Sequence, residues 1–150
     1  MSISTICRRF TVLTLGVALS TTIVSTANAQ EVTLRFASFT GPTNFLNTGL
    51  FEPWFKKLEE ESGGKLKVEF LTGGSAAAPT EVFDSVEAGL IDMGWSITSY
   101  NSGRFKSAGV TELPLLASGS SETSAALAAL YEDGLIEGFE SVKVIGIGTA

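Results

Sequence analysis

The chain has 150 residues, with 10 Lys or Arg against 16 Asp or Glu and no histidine. The missing imidazole excludes serine-histidine catalysis and the usual zinc sites. The acidic balance argues against nucleic acid and anionic membrane surfaces as partners, and the length suits one domain or one lobe with a modest core.

The N-terminus reads as a secretory leader. Arg8 and Arg9 precede a mostly apolar run at 10–24, and Ala27-Asn28-Ala29 fits a small-x-small cleavage site. The run is shorter than the roughly 20 residues of a membrane span. Cleavage after Ala29 leaves a mature chain from Gln30, exported by the ordinary route. It removes two of the 10 basic residues and the single cysteine, Cys7. The mature chain then has no disulfide, no thiolate nucleophile and no thiolate metal site.

The mature sequence predicts alternating strands and helices. Residues 32–39 (VTLRFASF) read as a first strand, followed by a loop at 40–44. Phe51, Trp54, Phe55 and Leu58 have the i, i+3, i+4, i+7 spacing of an amphipathic helix, with Pro53 in its first turn or at a kink. The stripe puts Trp54 in the core. Glu59-Glu60-Glu61 reads as a solvated face, and Ser62-Gly63-Gly64 closes the helix. Residues 66–71 (LKVEFL) alternate as a second strand, and 72–79 form a glycine-containing loop. Thr80 is placed to cap a second helix, with Glu81 and Asp84 at its positive end, Val82, Phe83 and Val86 facing the sheet and Gly89 ending it. Residues 90–95 read as a third, largely buried strand, and 96–109 as a polar loop with a short helical turn. Ser120 or Ser121 is placed to cap a third helix packed through Ala125, Leu127, Ala128, Leu130 and Tyr131 and closed by Gly134. Residues 142–147 read as a fourth strand.

This order predicts an α/β fold with a mostly parallel sheet and flanking helices. A buried strand close to Ala150 with no helix after it predicts a C-terminally incomplete lobe, a fragment of a longer protein.

Several ordered segments resemble one family. They are Leu34-Arg35-Phe36-Ala37-Ser38, the run 52–60 (EPWFKKLEE) followed by Ser62-Gly63-Gly64-Lys65, and Gly73-Gly74. Ala88-Gly89-Leu90-Ile91-Asp92-Met93-Gly94, Gly103-Arg104-Phe105 and Glu112-Leu113-Pro114-Leu115-Leu116 continue the order. Together they resemble the N-terminal part of a DctP-type solute-binding protein of a TRAP (tripartite ATP-independent periplasmic) transporter. The resemblance covers nearly all of the mature chain. It implies a type II periplasmic-binding-protein-like lobe, residues 30–150, from a bilobed receptor whose cleft closes on a small organic acid. It further implies no enzymatic activity, no cofactor, a pair of membrane transporter subunits as partners, and a carboxylate-binding arginine in the second lobe.

Ligands of open α/β sheets sit beyond the carboxyl ends of the strands. That rule selects Thr40 and Asn44 after the first strand, Gly74 and Ser75 (with Gly73) after the second, and Trp95, Ser96 and Tyr100 (with Ser99 and Asn101) after the third. Each has a structural alternative. Asn44 and Thr40 suit local capping, the glycines a plain turn, and Trp95 core packing, with Trp95 and Ser96 on opposite sides if the strand continues. Arg35, Arg104 and Asp92 read as structural contacts. Three rivals remain. One is an exported enzyme using carboxylates such as Asp92 or Glu112. The second is a sensor domain on the same fold. The third is a dinucleotide site at Gly146 and Gly148, against which a glycine-flecked strand is the better reading.

Overall fold

The computed structural model describes residues 30–113 and 119–149. The expected leader at 1–29, and residues 114–118 with most of the Leu-Pro-Leu-Leu segment, lie outside them. Three parallel strands form one sheet in the order β2-β1-β3, with β1 at Val32–Ala37, β2 at Leu66–Leu71 and β3 at Met93–Gly94. β1 pairs along its whole length with β2, from Val32↔Leu66 to Ala37↔Leu71. Its last two residues also pair with β3, Phe36↔Met93 and Ala37↔Gly94. Because every pair is parallel, all three strands end at the same edge.

Alternation along β1 sends neighbouring side chains to opposite faces. Phe36 enters an aromatic layer with Phe51, Phe55 and Phe70, ring centroids 4.9, 4.9 and 5.7 Å away. Phe55 lies on α1 (Glu52–Glu61), Phe51 on the turn before it and Phe70 on β2. Trp54 flanks this layer half-buried, at 6.5 Å from Phe36. Ala37 faces the other way, against Val82 of α2 (Val82–Glu87) and Ile91. Beyond α2 a second core joins Phe83, Phe105, Ala108, Ile136 and Leu127 of α3 (Ser120–Glu132).

The helix carrying α1 starts at Phe45 and widens into a π turn over Asn47–Phe51 before α1 proper. Pro53 supplies a reason: it has no N–H to give to the carbonyl four residues back, and its ring crowds that carbonyl. The Glu52 N–H bonds instead to the Asn47 carbonyl. At the far end Gly63 and Gly64 both adopt positive φ, which glycine takes without a Cβ penalty, and the Gly64 N–H closes on the Glu59 carbonyl at 2.9 Å. The glutamate run is solvated as expected, with Glu60 and Glu61 paired to Lys56 and Lys57 one turn back.

The structure corrects four expectations. The third strand is two residues long rather than 90–95, because Leu90 belongs to the exit of α2. Its N–H bonds to the Ser85 carbonyl at 2.9 Å, and its side chain is 65% exposed. The fourth strand at 142–147 does not form. That segment runs beside α3 with no strand partner among the described residues, and Thr149 is tied to the Ser124 hydroxyl through its backbone N–H at 2.8 Å. Neither Thr80 nor Ser120 nor Ser121 is an N-cap. α2 starts from Glu81 and α3 from Gly119, without a side-chain cap bond, so both serines fall inside the first turn of α3. Finally, the polar stretch after β3 contains two 3₁₀ turns, Thr98–Asn101 and Ala108–Glu112, rather than one.

Candidate functional site

The loops that leave β1, β2 and β3 meet at the common carboxyl edge and are bonded to one another. The Gly73 N–H donates to the Thr40 carbonyl at 2.8 Å, and the Gly74 N–H to the Ser38 carbonyl at 3.2 Å. The Trp95 N–H donates to the Ala37 carbonyl at 3.3 Å. Both glycines have positive φ, a backbone conformation that glycine takes without a Cβ penalty.

A buried polar knot lies beneath this junction. Asn47 is 0% exposed and Ser38 1%. The Ser38 hydroxyl donates to Asn47 Oδ1 at 2.9 Å, with Thr40 Oγ1 also 2.9 Å from it and 3.2 Å from the same Asn47 oxygen. Asn47 Nδ2 donates to the Gly41 carbonyl at 2.8 Å and the Thr40 carbonyl at 3.2 Å. Trp95 Nε1 donates to Ser38 Oγ at 3.0 Å. One asparagine thus fixes the exit of β1, and Ser38 passes that order to the indole. Every polar atom of the Asn47 amide is bonded, which is what makes its burial tolerable.

An aromatic step sits on the knot. The Phe39 ring stacks on Trp95 with centroids 4.5 Å apart and 29° between planes, and Tyr100 meets Phe39 edge-on at 5.7 Å. Phe39 and Trp95 are half-buried, and Tyr100 is 44% exposed. No Asp, Glu, Lys or Arg occurs in 38–51, 72–80 or 95–103, so the whole edge is uncharged.

The structure brings Thr40, Gly74, Trp95 and Tyr100 together. The other expected site residues are placed differently. Asn44 Oδ1 accepts the Leu46 N–H at 2.9 Å and so caps the start of its own helix. The Ser75 N–H closes a turn on the Thr72 carbonyl. Ser96 Oγ is buried and has no hydrogen-bond partner among the described residues, so it is not presented at the edge; the same holds for Asn101 Oδ1. Missing from the sequence reading were Ser38, Phe39 and Asn47. The legible signal for Asn47 was an asparagine inside a helix, a position that residue disfavours unless a partner holds it.

The charged residues near the site are engaged elsewhere. Arg104 forms a two-bond fork to Glu87, at 2.9 and 3.2 Å, and lies 3.5 Å from Asp84, with its guanidinium 4.6 Å over the Phe83 ring. Its hydrogen bond holds the Glu87 carboxyl below the ordinary carboxylate range, with a second bond from Ser141. Arg35 donates to the Leu90 carbonyl at 2.6 Å, while its own backbone N–H donates to Asp92 Oδ2 at 2.7 Å. Both arginines and Asp92 are therefore structural, as expected.

A parallel sheet with helices on both faces and an uncharged edge at its strand ends fits a lobe of the type II periplasmic binding protein fold. Residues 36–149 match the DctP family model, described as bacterial extracellular solute-binding protein, family 7, and the chain belongs to that family. Among solved structures it is similar to a marine metagenome TRAP solute-binding protein specific for aromatic acid ligands, in complex with 3-hydroxybenzoate. The two are 28% identical, with a TM-score of 0.73 over 79% of this chain and 38% of that one. It is similar, too, to a TRAP solute-binding protein of Rhodoferax ferrireducens T118 with copurified benzoate, at 28% identity and a TM-score of 0.73 over 78% of this chain and 37% of that one. A curated relative, the outer membrane transporter protein TsaT of Comamonas testosteroni, is 26% identical over 106 residues, 71% of this chain and 31% of that protein. The chain thus spans about a third of the length of the proteins it matches.

Proposed function

We propose that residues 30–150 are the first lobe of a two-lobed periplasmic receptor that captures a small organic acid and delivers it to the membrane subunits of a TRAP transporter, without catalysis. The observation that carries this reading is the convergence of three strand-end loops on the Ser38–Asn47 knot, which makes a pre-formed, neutral half-site where α/β sheets take ligands. Family membership and the two aromatic acid complexes support it. The edge carries no cation, so the charge that meets the carboxylate belongs to the second lobe.

An enzymatic role has no such support. Asp92, the residue before β3, is spent on the Arg35 backbone N–H. The Glu112 side chain lies outside the described residues.

The test begins with the gene beyond codon 150. The full-length product, without residues 1–29, is titrated calorimetrically with a panel of mono- and dicarboxylates, keto acids and aromatic acids. At least one acid should bind with a single-site isotherm. A folded full-length protein that binds none refutes the reading, and tight binding by residues 30–150 alone refutes the two-lobe division.

A further inference from the structure

The uncharged edge and the aromatic step together say what kind of molecule this lobe reads. The indole N–H of Trp95 is consumed by Ser38, and Ser38 is in turn fixed by Asn47. Trp95 therefore has no polar atom left for a ligand and offers only its ring surface. Phe39, stacked on it, is apolar throughout. Tyr100 closes the step edge-on, and its hydroxyl has no hydrogen-bond partner among the described residues. A second carboxylate reaching this lobe would meet no cation in 38–51, 72–80 or 95–103. The nearby cations Arg35 and Arg104 are bonded to Leu90 and Glu87. A flat apolar ring, by contrast, gains stacking and edge-to-face contacts on such a surface.

We infer that Phe39, Trp95 and Tyr100 form a ring-binding wall, that the ligand is an aromatic monocarboxylate, and that Ser38 and Asn47 are positioning residues that hold Trp95 in place. The inference rests on the acid-receptor reading above and adds to it the substrate class and the residues that select it.

The test uses the full-length, ligand-free receptor and four probes: benzoate, 3-hydroxybenzoate, cyclohexanecarboxylate and succinate. The two aromatic acids should bind at least about tenfold more tightly than the saturated ring, and succinate should bind weakest. Tyr100→Leu, at an exposed position, should weaken benzoate about fivefold and narrow the gap to cyclohexanecarboxylate. Ser38→Ala frees the indole N–H. It should shift the Trp95 emission maximum, read as the difference between Trp95 and Trp95→Phe backgrounds. It should also cut the aromatic-to-saturated affinity ratio, a quantity that a general loss of stability does not change. If succinate binds as tightly as benzoate, or if Tyr100→Leu and Ser38→Ala leave the affinity ratio intact, the ring wall is wrong while the receptor reading stands. If none of these acids and no other carboxylate binds, the receptor reading falls and the wall with it.

Discussion

Gly94→Ala tests how tightly β3 is clamped between β1 and α2. A Cβ at position 94 would sit 2.6 Å from Val82 Cγ1, 3.4 Å from the Ala37 carbonyl oxygen and 3.6 Å from Ile91 Cδ1. Carbon atoms in contact settle about 3.5–4.0 Å apart, so the overlap with Val82 is about 1 Å. Val82 is 1% exposed, and a β-branched side chain has few rotamers to escape into. Gly94 is not at positive φ, so backbone strain does not enter. Alanine in place of a strand glycine would otherwise be favourable by about 0.5–1 kcal/mol. Overpacking of this kind costs about 1–3 kcal/mol, and β3, with two paired residues, has little ladder to resist displacement. Val82→Ala alone should cost about 2 kcal/mol through lost burial and a cavity. In the double variant the new methyl occupies that cavity, so the two changes should compensate by at least about 1 kcal/mol. Urea unfolding followed by circular dichroism measures all four corners of the cycle. A cost below about 0.5 kcal/mol for Gly94→Ala, or additive costs, would refute the clamp.

Asn47→Leu should destabilise the protein by about 2 kcal/mol, because it removes the amide's bonds to the Thr40 and Gly41 carbonyls and takes the acceptor from the buried Ser38 hydroxyl. Chemical denaturation measures the loss, and the Trp95 near-UV signal should change with it. Glu87 sits below its ordinary carboxylate range through its bond to Arg104. Its contribution is therefore present above that range and is lost as pH falls through it toward the folded value. Arg104→Gln should flatten this acid-side decline in stability, and an unchanged pH profile would show the pair to be inert. Mass spectrometry of the exported protein should find Gln30 as the first residue, fixing the cleavage expected after Ala29.

Local chemistry made much of the fold legible. The Phe51–Leu58 stripe, the alternation of 66–71 and the Gly63-Gly64 and Gly134 exits each depend on near neighbours, and each has its place in the structure. What failed depended on distant partners. Residues 142–147 have the apolar content of a strand but no strand beside them among the described residues, and 90–95 kept only Met93 and Gly94 as strand because Leu90 belongs to the turn that closes α2. At the site, position after a strand pointed to Thr40, Gly74, Trp95 and Tyr100, which lie in the loops at the common strand edge. It could not show that Asn44 is used up as a cap, or that Ser96 Oγ turns inward. Nor could it reveal that Asn47 reaches back across a helical turn to fasten Ser38, since that bond exists only once helix and strand have packed.

The central strand of the sheet is also the first to be made. β1 meets β2 only after the whole of α1 has been synthesised, and it meets β3 only when residues 57 positions further on arrive, as the bond between Arg35 and Asp92 illustrates. Each pairing must close a long loop before any reward is felt, which slows folding. Under the export reading proposed above, that delay is useful. A nascent chain whose first strand has nothing to pair with stays open and threadable while it waits at the membrane, and it can complete its sheet on the far side. Placing β1 in the middle would thus serve passage across the membrane as well as the finished cleft.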